Sequence, residues 1–109
     1  MAFIDLHDLE IREMAPGFHG RFVHTEKMTI VYWDILAGSS LPAHSHRHEQ
    51  VTTVVDGIFD LTMVGDTQQL AAGKIAVIPP DIPHEGRAVT ACRIMDVFSP
   101  PREDYMKQK

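Results

Sequence analysis

His44 and His46 stand two residues apart with Gln50 four further on, inside the stretch GSSLPAHSHRHEQVTTVVDG that runs from Gly38 to Gly57. That spacing suits one small metal ion. In an extended strand, side chains at i and i+2 share a face, so the two imidazoles are presented side by side while Gln50 offers an amide oxygen nearby. A fourth ligand is needed, and His84 is the best candidate. It sits in GKIAVIPPDIPHEG, where an apolar strand runs into a proline-rich turn that fixes the backbone just before the histidine. Glu49 competes with Gln50 for the ligand role. A one-residue shift turns a side chain to the opposite face, so the two do not serve together, and the spacing favours Gln50. His48 continues the i, i+2 series but is read as a rim residue hydrogen-bonded to water. His7, His19 and His24 have no partner spacing that lifts them above surface residues.

The elements that must position these residues are strands. Helical periodicity is scarce, whereas short apolar or alternating runs bounded by turn residues recur along nearly the whole chain, which predicts an all-β protein. The runs are 21–24, 29–36, 50–55, 58–64, 68–71, 74–78, 85–88 and 91–98. Asp56-Gly57 and Gly65-Asp66 supply the positive-φ residues that tight hairpins require. So many short strands in so few residues point to a closed barrel or jelly roll that hides its edges. The first 20 residues are less decided, and an edge strand there that pairs with a second subunit is an open alternative.

Composition bounds the function. At 109 residues the chain is one domain, with no room for a separate DNA-binding module beside a catalytic one. The 10 Lys and Arg against 15 Asp and Glu give a net charge of -5 with no basic stripe, which argues against nucleic acid as a partner. Cys92 is the only cysteine, so no internal disulfide forms. We expect it as a buried strand residue in a reduced, cytoplasmic protein. The start MAFIDLHDLEIREM mixes acidic and apolar residues, unlike a signal peptide, and no apolar run approaches a membrane span.

Gly38, five residues, His44-x-His46, three residues, Gln50, six residues and Gly57 together match the first motif of the cupin superfamily, with Gln where glutamate is more usual. Gly73, five residues, Pro79, then His84 five further on match the second, although Asp81 stands where glycine is common and the terminal asparagine is missing. The chain is therefore similar to cupins. That resemblance implies a single small antiparallel jelly-roll barrel over 1–109, with the metal inside, and usually a dimer. The ending Asp96-Val97-Phe98-Ser99-Pro100-Pro101-Arg102-Glu103-Asp104-Tyr105 resembles the KdgF family of pectin-degradation cupins, so the motifs fall at 38–57, 73–84 and 96–105. Arg47 and Thr53 depart from that family's usual proline and aromatic.

The KdgF resemblance implies a metal held by His44, His46, Gln50 and His84, with Asp96, Phe98 and Arg102 lining the pocket. It also implies ring opening of 4,5-unsaturated uronates to the linear 4-deoxy-5-keto form. Such a substrate asks for a divalent ion to stabilise charge on the ring oxygen and an ionisable group to move a proton. Asp96 is the candidate base, since it shares a strand face with Ile94 and Phe98. Arg102 would grip the substrate carboxylate by a two-pronged pair, Phe98 would give the sugar an apolar wall, and Arg21 is a second carboxylate-binding candidate. Zinc, nickel, iron and manganese all suit the ligand set. Two rival functions stand beside this one. A metal-dependent dioxygenase is disfavoured by the neutral Gln50, which leaves one more positive charge at the metal; a non-catalytic binder of a sugar or small acid is the other.

Overall fold

The computed structural model describes residues 2–106, so the ends of the expected 1–109 domain lie outside the described residues. Among the described residues ten antiparallel strands form two sheets. The larger joins β1 (Arg12–Ala15), β2 (Phe18–His24), β3 (Thr29–Ile35), β10 (Cys92–Ser99), β5 (Glu49–Asp56) and β8 (Ile75–Ile78), neighbours in that order. The smaller joins β4 (Ser40–His44), β9 (His84–Ala88), β6 (Phe59–Met63) and β7 (Asp66–Leu70). A 3-10 turn at Leu6–Asp8 precedes them and a single helical turn, α1 (Glu103–Met106), follows.

Strict alternation builds the core. Along β3 the residues Thr29, Val31, Trp33 and Ile35 are buried while their neighbours are not, and β10 repeats the pattern with Cys92, Ile94, Asp96 and Phe98. Each sheet thereby turns one face inward, and Phe18, Val54, Phe59, Leu61, Leu70, Ile78 and Ala88 complete the apolar packing between them. Cys92 lies in this core as expected, its Sγ 3.1 Å from the Ile58 carbonyl oxygen, and burial pushes its thiol pKa up. Two close approaches depend on missing side chains. Gly20 lies opposite Trp33, where a Cβ would come within 2.8 Å of the indole, and Gly86 leaves space that the Phe59 ring fills.

Several sequence expectations need correction. Asp56-Gly57 does not close a hairpin: β5 and β6 belong to different sheets, so Gly57 (φ 91°) turns the chain from one sheet to the other. The β6–β7 hairpin has its positive-φ pair at Val64 (φ 52°) and Gly65 (φ 73°), one residue earlier than Gly65-Asp66. Strand β4 carries no clear strand signal in the sequence, because Pro42 interrupts it; as an edge strand it tolerates a missing N–H. Within the first 20 residues, β1 pairs with β2 of its own chain.

Candidate functional site

The two sheets diverge around a cavity of about 210 Å³, whose lining includes His44, Gln50, His84, Asp96, Phe98 and Arg102. His44 ends β4 and lies directly across the ladder from His84, which opens β9. His46 follows in the loop beyond β4 rather than on the strand. That loop is tied to the second motif by the Asp81 N–H, which donates to the His46 carbonyl at 2.8 Å. Asp81 has φ 65°, a left-handed conformation that glycine adopts readily and Asp tolerates, which accounts for its place at a position where glycine is common. Gln50 comes from β5 in the other sheet and faces inward, whereas Glu49 faces solvent, as alternation requires.

The ligand atoms of His44, His46 and His84 all lie within 4.8 Å of one another. Each ring has its Nδ1 against a backbone carbonyl two residues away: Pro42 for His44 at 2.9 Å, His48 for His46 at 3.1 Å and Ile82 for His84 at 2.9 Å. A neutral imidazole carries one proton, so these contacts place it on Nδ1 and leave each Nε2 as a bare lone pair. His84 Nε2 is buried without a hydrogen-bond partner. His46 Nε2 lies 3.0 Å from Gln50 Oε1, and two lone pairs that close repel unless a cation lies between them. Burial, then the charge of Arg102, lowers the His46 pKa to about 4, and burial lowers that of His84. His46 and His84 are therefore unprotonated near neutral pH, and the arrangement of three imidazoles and an amide oxygen fits a divalent ion.

Across the cavity Asp96 is buried, with each oxygen accepting one hydrogen bond. Its Oδ2 accepts from Trp33 Nε1 at 2.9 Å and its Oδ1 from the Thr52 hydroxyl at 2.6 Å, while Thr52 accepts from Gln50 Nε2 at 2.9 Å. Burial raises the Asp96 pKa, outweighing the hydrogen bonds and the Arg102 charge that oppose it. Phe98 packs edge-on against His46, with ring centroids 5.6 Å apart. Arg102 lies between aromatic rings, 4.7 Å from the Phe98 centroid and 4.0 Å from that of Tyr105.

Arg102 departs from expectation in one respect. Its side-on edge is already closed by Asp104, with Nε donating to Oδ1 at 2.9 Å and Nη2 to Oδ2 at 2.7 Å, so the end-on edge is what remains for a ligand. Arg21 is not part of the cavity wall. It alternates away from Phe22 onto the outer face of its sheet and pairs with Asp34 at 3.4 Å. His48 is no rim residue either: it is 4% exposed, and its Nε2 lies 3.4 Å from Glu103. Sequence reasoning missed Trp33, Thr52 and Asp104. Thr52 and Asp104 each lie two residues from a recognised site residue, a usable signal, whereas nothing in the sequence joins Trp33 to Asp96.

The fold and the histidine cluster together define a class. The cupin domain family matches residues 31–98, more than half of the chain, and the protein belongs to that family. Among solved structures it is similar to KdgF from Halomonas sp., with 27% identity and a TM-score of 0.90 over 96% of this chain and 98% of that one. Among curated proteins it is similar to an uncharacterized protein of Streptomyces coelicolor, 28% identical over 88% of this chain and 93% of the relative. A protein named H2HPP isomerase from Bacillus subtilis is 26% identical over 95% of this chain, which spans 45% of that relative. Among the described residues no helix is long and apolar enough to cross a membrane.

Proposed function

We propose that the protein opens the ring of 4,5-unsaturated monouronates without redox chemistry, giving the linear 4-deoxy-5-keto-uronate. The observation that carries this reading is a buried carboxylate, Asp96, that lines one small cavity with His44 and His84, two of the three imidazoles whose ligand atoms cluster within 4.8 Å. The ring oxygen of such a substrate belongs to a hemiacetal at C-1 and an enol ether at C-5. Removing the anomeric hydroxyl proton breaks the C-1 to ring-oxygen bond, leaving an aldehyde and an enolate, and protonation at C-4 completes the ketone. Asp96 is suited to take that first proton, because each carboxylate oxygen keeps a second lone pair and burial makes the group more basic than an exposed aspartate. A divalent ion held by His44, His46, Gln50 and His84 would supply Lewis acidity for the charge that develops on the ring oxygen.

The remaining end-on edge of Arg102 supports carboxylate binding, and Phe98 bounds the sugar on its apolar side. The cavity is smaller than the roughly 300–1,000 Å³ typical of sites for drug-sized ligands, which favours a monomer over an oligosaccharide. We further propose a homodimer in the cytoplasm. Val55, Ile75 and Val77 leave an exposed apolar strip on the outer face of the larger sheet, which a second copy would cover.

The test is direct. Purified, metal-loaded protein is incubated with an unsaturated uronate, and loss of its conjugated ultraviolet absorbance is followed against the spontaneous rate. We expect a clear acceleration; a rate equal to buffer, with metal bound, would remove the proposal. Oxygen consumption with a catechol or diketone would instead favour the dioxygenase.

A further inference from the structure

Gln50 faces a problem that the histidine ligands do not. An imidazole whose Nδ1 proton is committed to a carbonyl has only its Nε2 lone pair to offer. An amide turned by 180° presents either an oxygen or an NH2 group at nearly the same place. Turned the wrong way, Gln50 would aim N–H bonds at the cation site. His46 does not prevent this, because its bare Nε2 accepts hydrogen bonds and by itself would favour the NH2 group. The decision falls to the neighbours on the other side of the amide, the Thr52 hydroxyl in direct contact and the Asp96 carboxylate behind it, whose ionised form the amide N–H also favours.

That hydroxyl has a single proton, and it is committed. It goes to Asp96 Oδ1 at 2.6 Å, a short contact of the charge-assisted kind, while Trp33 holds the other carboxylate oxygen at 2.9 Å. A carboxylate has no proton to return, so the Thr52 oxygen can only accept, and Gln50 must turn Nε2 toward it at 2.9 Å. We propose that Thr52 is a positioning residue: by donating to Asp96 it fixes the Gln50 amide with Oε1 toward the histidine cluster, coupling the carboxylate side of the cavity to the metal side. This rests on the reading of Gln50 as a metal ligand. The plainer account, a β-branched residue filling a buried strand position, requires only the shape of Thr52, which valine reproduces.

The test uses zinc affinity, measured by competition with a chromophoric chelator, so it does not depend on turnover. Thr52→Val should weaken zinc binding by about tenfold, the lower end of the range for residues that orient metal ligands. Thr52→Ala should weaken it similarly, and Thr52→Ser should bind as the unaltered chain does. Gln50→Glu provides the decisive background, because a carboxylate presents an oxygen whichever way it is turned. There the loss caused by Thr52→Val should disappear, a non-additivity that reports direct coupling. The proposal is overturned if Thr52→Val and Thr52→Ala both bind zinc normally, if Thr52→Ser does not preserve binding, or if the loss is as large with Glu at position 50. An unaltered chain that binds no divalent ion would overturn the metal reading and this inference with it, whereas normal binding with an unaffected Thr52→Val removes this inference alone.

Discussion

On one side of the cavity each imidazole is held by a carbonyl two residues away in sequence, that of Pro42, His48 or Ile82. On the other side Asp96 is held by Trp33 and Thr52, which stand 63 and 44 residues from it along the chain. A local clamp needs only the right backbone path over a few residues, and proline and turn chemistry supply it. The carboxylate's clamp exists only once β3, β10 and β5 have paired in one register, with Asp96 directly opposite Thr52. The histidine side is therefore a property of two short segments, and the carboxylate side is a property of the sheet.

The sharpest way to break that division is to remove one member from each side. His46→Ala should lose metal and activity together, because it leaves the ion one imidazole short. Asp96→Asn should keep the metal and lose about 10²–10⁴-fold in rate, the range expected for a general base. Metal content by mass spectrometry, beside the absorbance assay, separates the two. The Thr52 link allows Asp96→Asn at most the roughly tenfold loss of affinity expected of Thr52→Val, so a loss as large as that of His46→Ala would mean that the carboxylate does more for the metal side than orient Gln50.

Trp33→Phe probes the long-range clamp more gently. It takes one hydrogen bond from the carboxylate and leaves an aromatic ring opposite Gly20. We expect about a tenfold drop in activity, near the lower end of what a hydrogen bond to a charged group contributes, with metal affinity unchanged. The pH dependence has a definite sign. The indole N–H favours the ionised form of Asp96, so its removal adds to the upward shift that burial causes. A base must be ionised to act, so the acid limb of the rate profile should move to higher pH. An unmoved limb would separate Asp96 from the proton transfer.

The same division governs how much could be read from the sequence. His44, His46, Gln50 and His84 were legible because glycines and prolines at fixed spacings frame them, and strand alternation placed Gln50 inside and Glu49 outside. The inward face of β10 was legible for the same reason. Strand β4 was hidden by Pro42, and β1 lies in a segment whose composition is mixed rather than alternating. The alternation of its strand suits Trp33 to core or dimer packing alike and says nothing of its partner: the register sets Trp33 against Ile94, and the indole reaches Asp96 diagonally, along a strand that is adjacent only after folding. Arg21 misled because its charge suited a ligand while its parity on β2 pointed it outward.

The smallest effect we expect concerns the local side. Asp81 is exposed and left-handed, and its contribution to the site runs through its backbone, whose N–H holds the His46 carbonyl. Asp81→Gly keeps that N–H. It relieves a left-handed penalty of roughly 1–2 kcal/mol for an ordinary L-residue, less for Asp, and it loosens the unfolded chain by roughly 0.5–1 kcal/mol. The two nearly cancel, so the melting temperature should move by only a few degrees, at about 4–8 °C per kcal/mol for a domain of this size, and zinc affinity should not change. A clear fall in affinity would show that the Asp81 carboxylate itself reaches the site, so that even the local side depends on more than the path of its backbone.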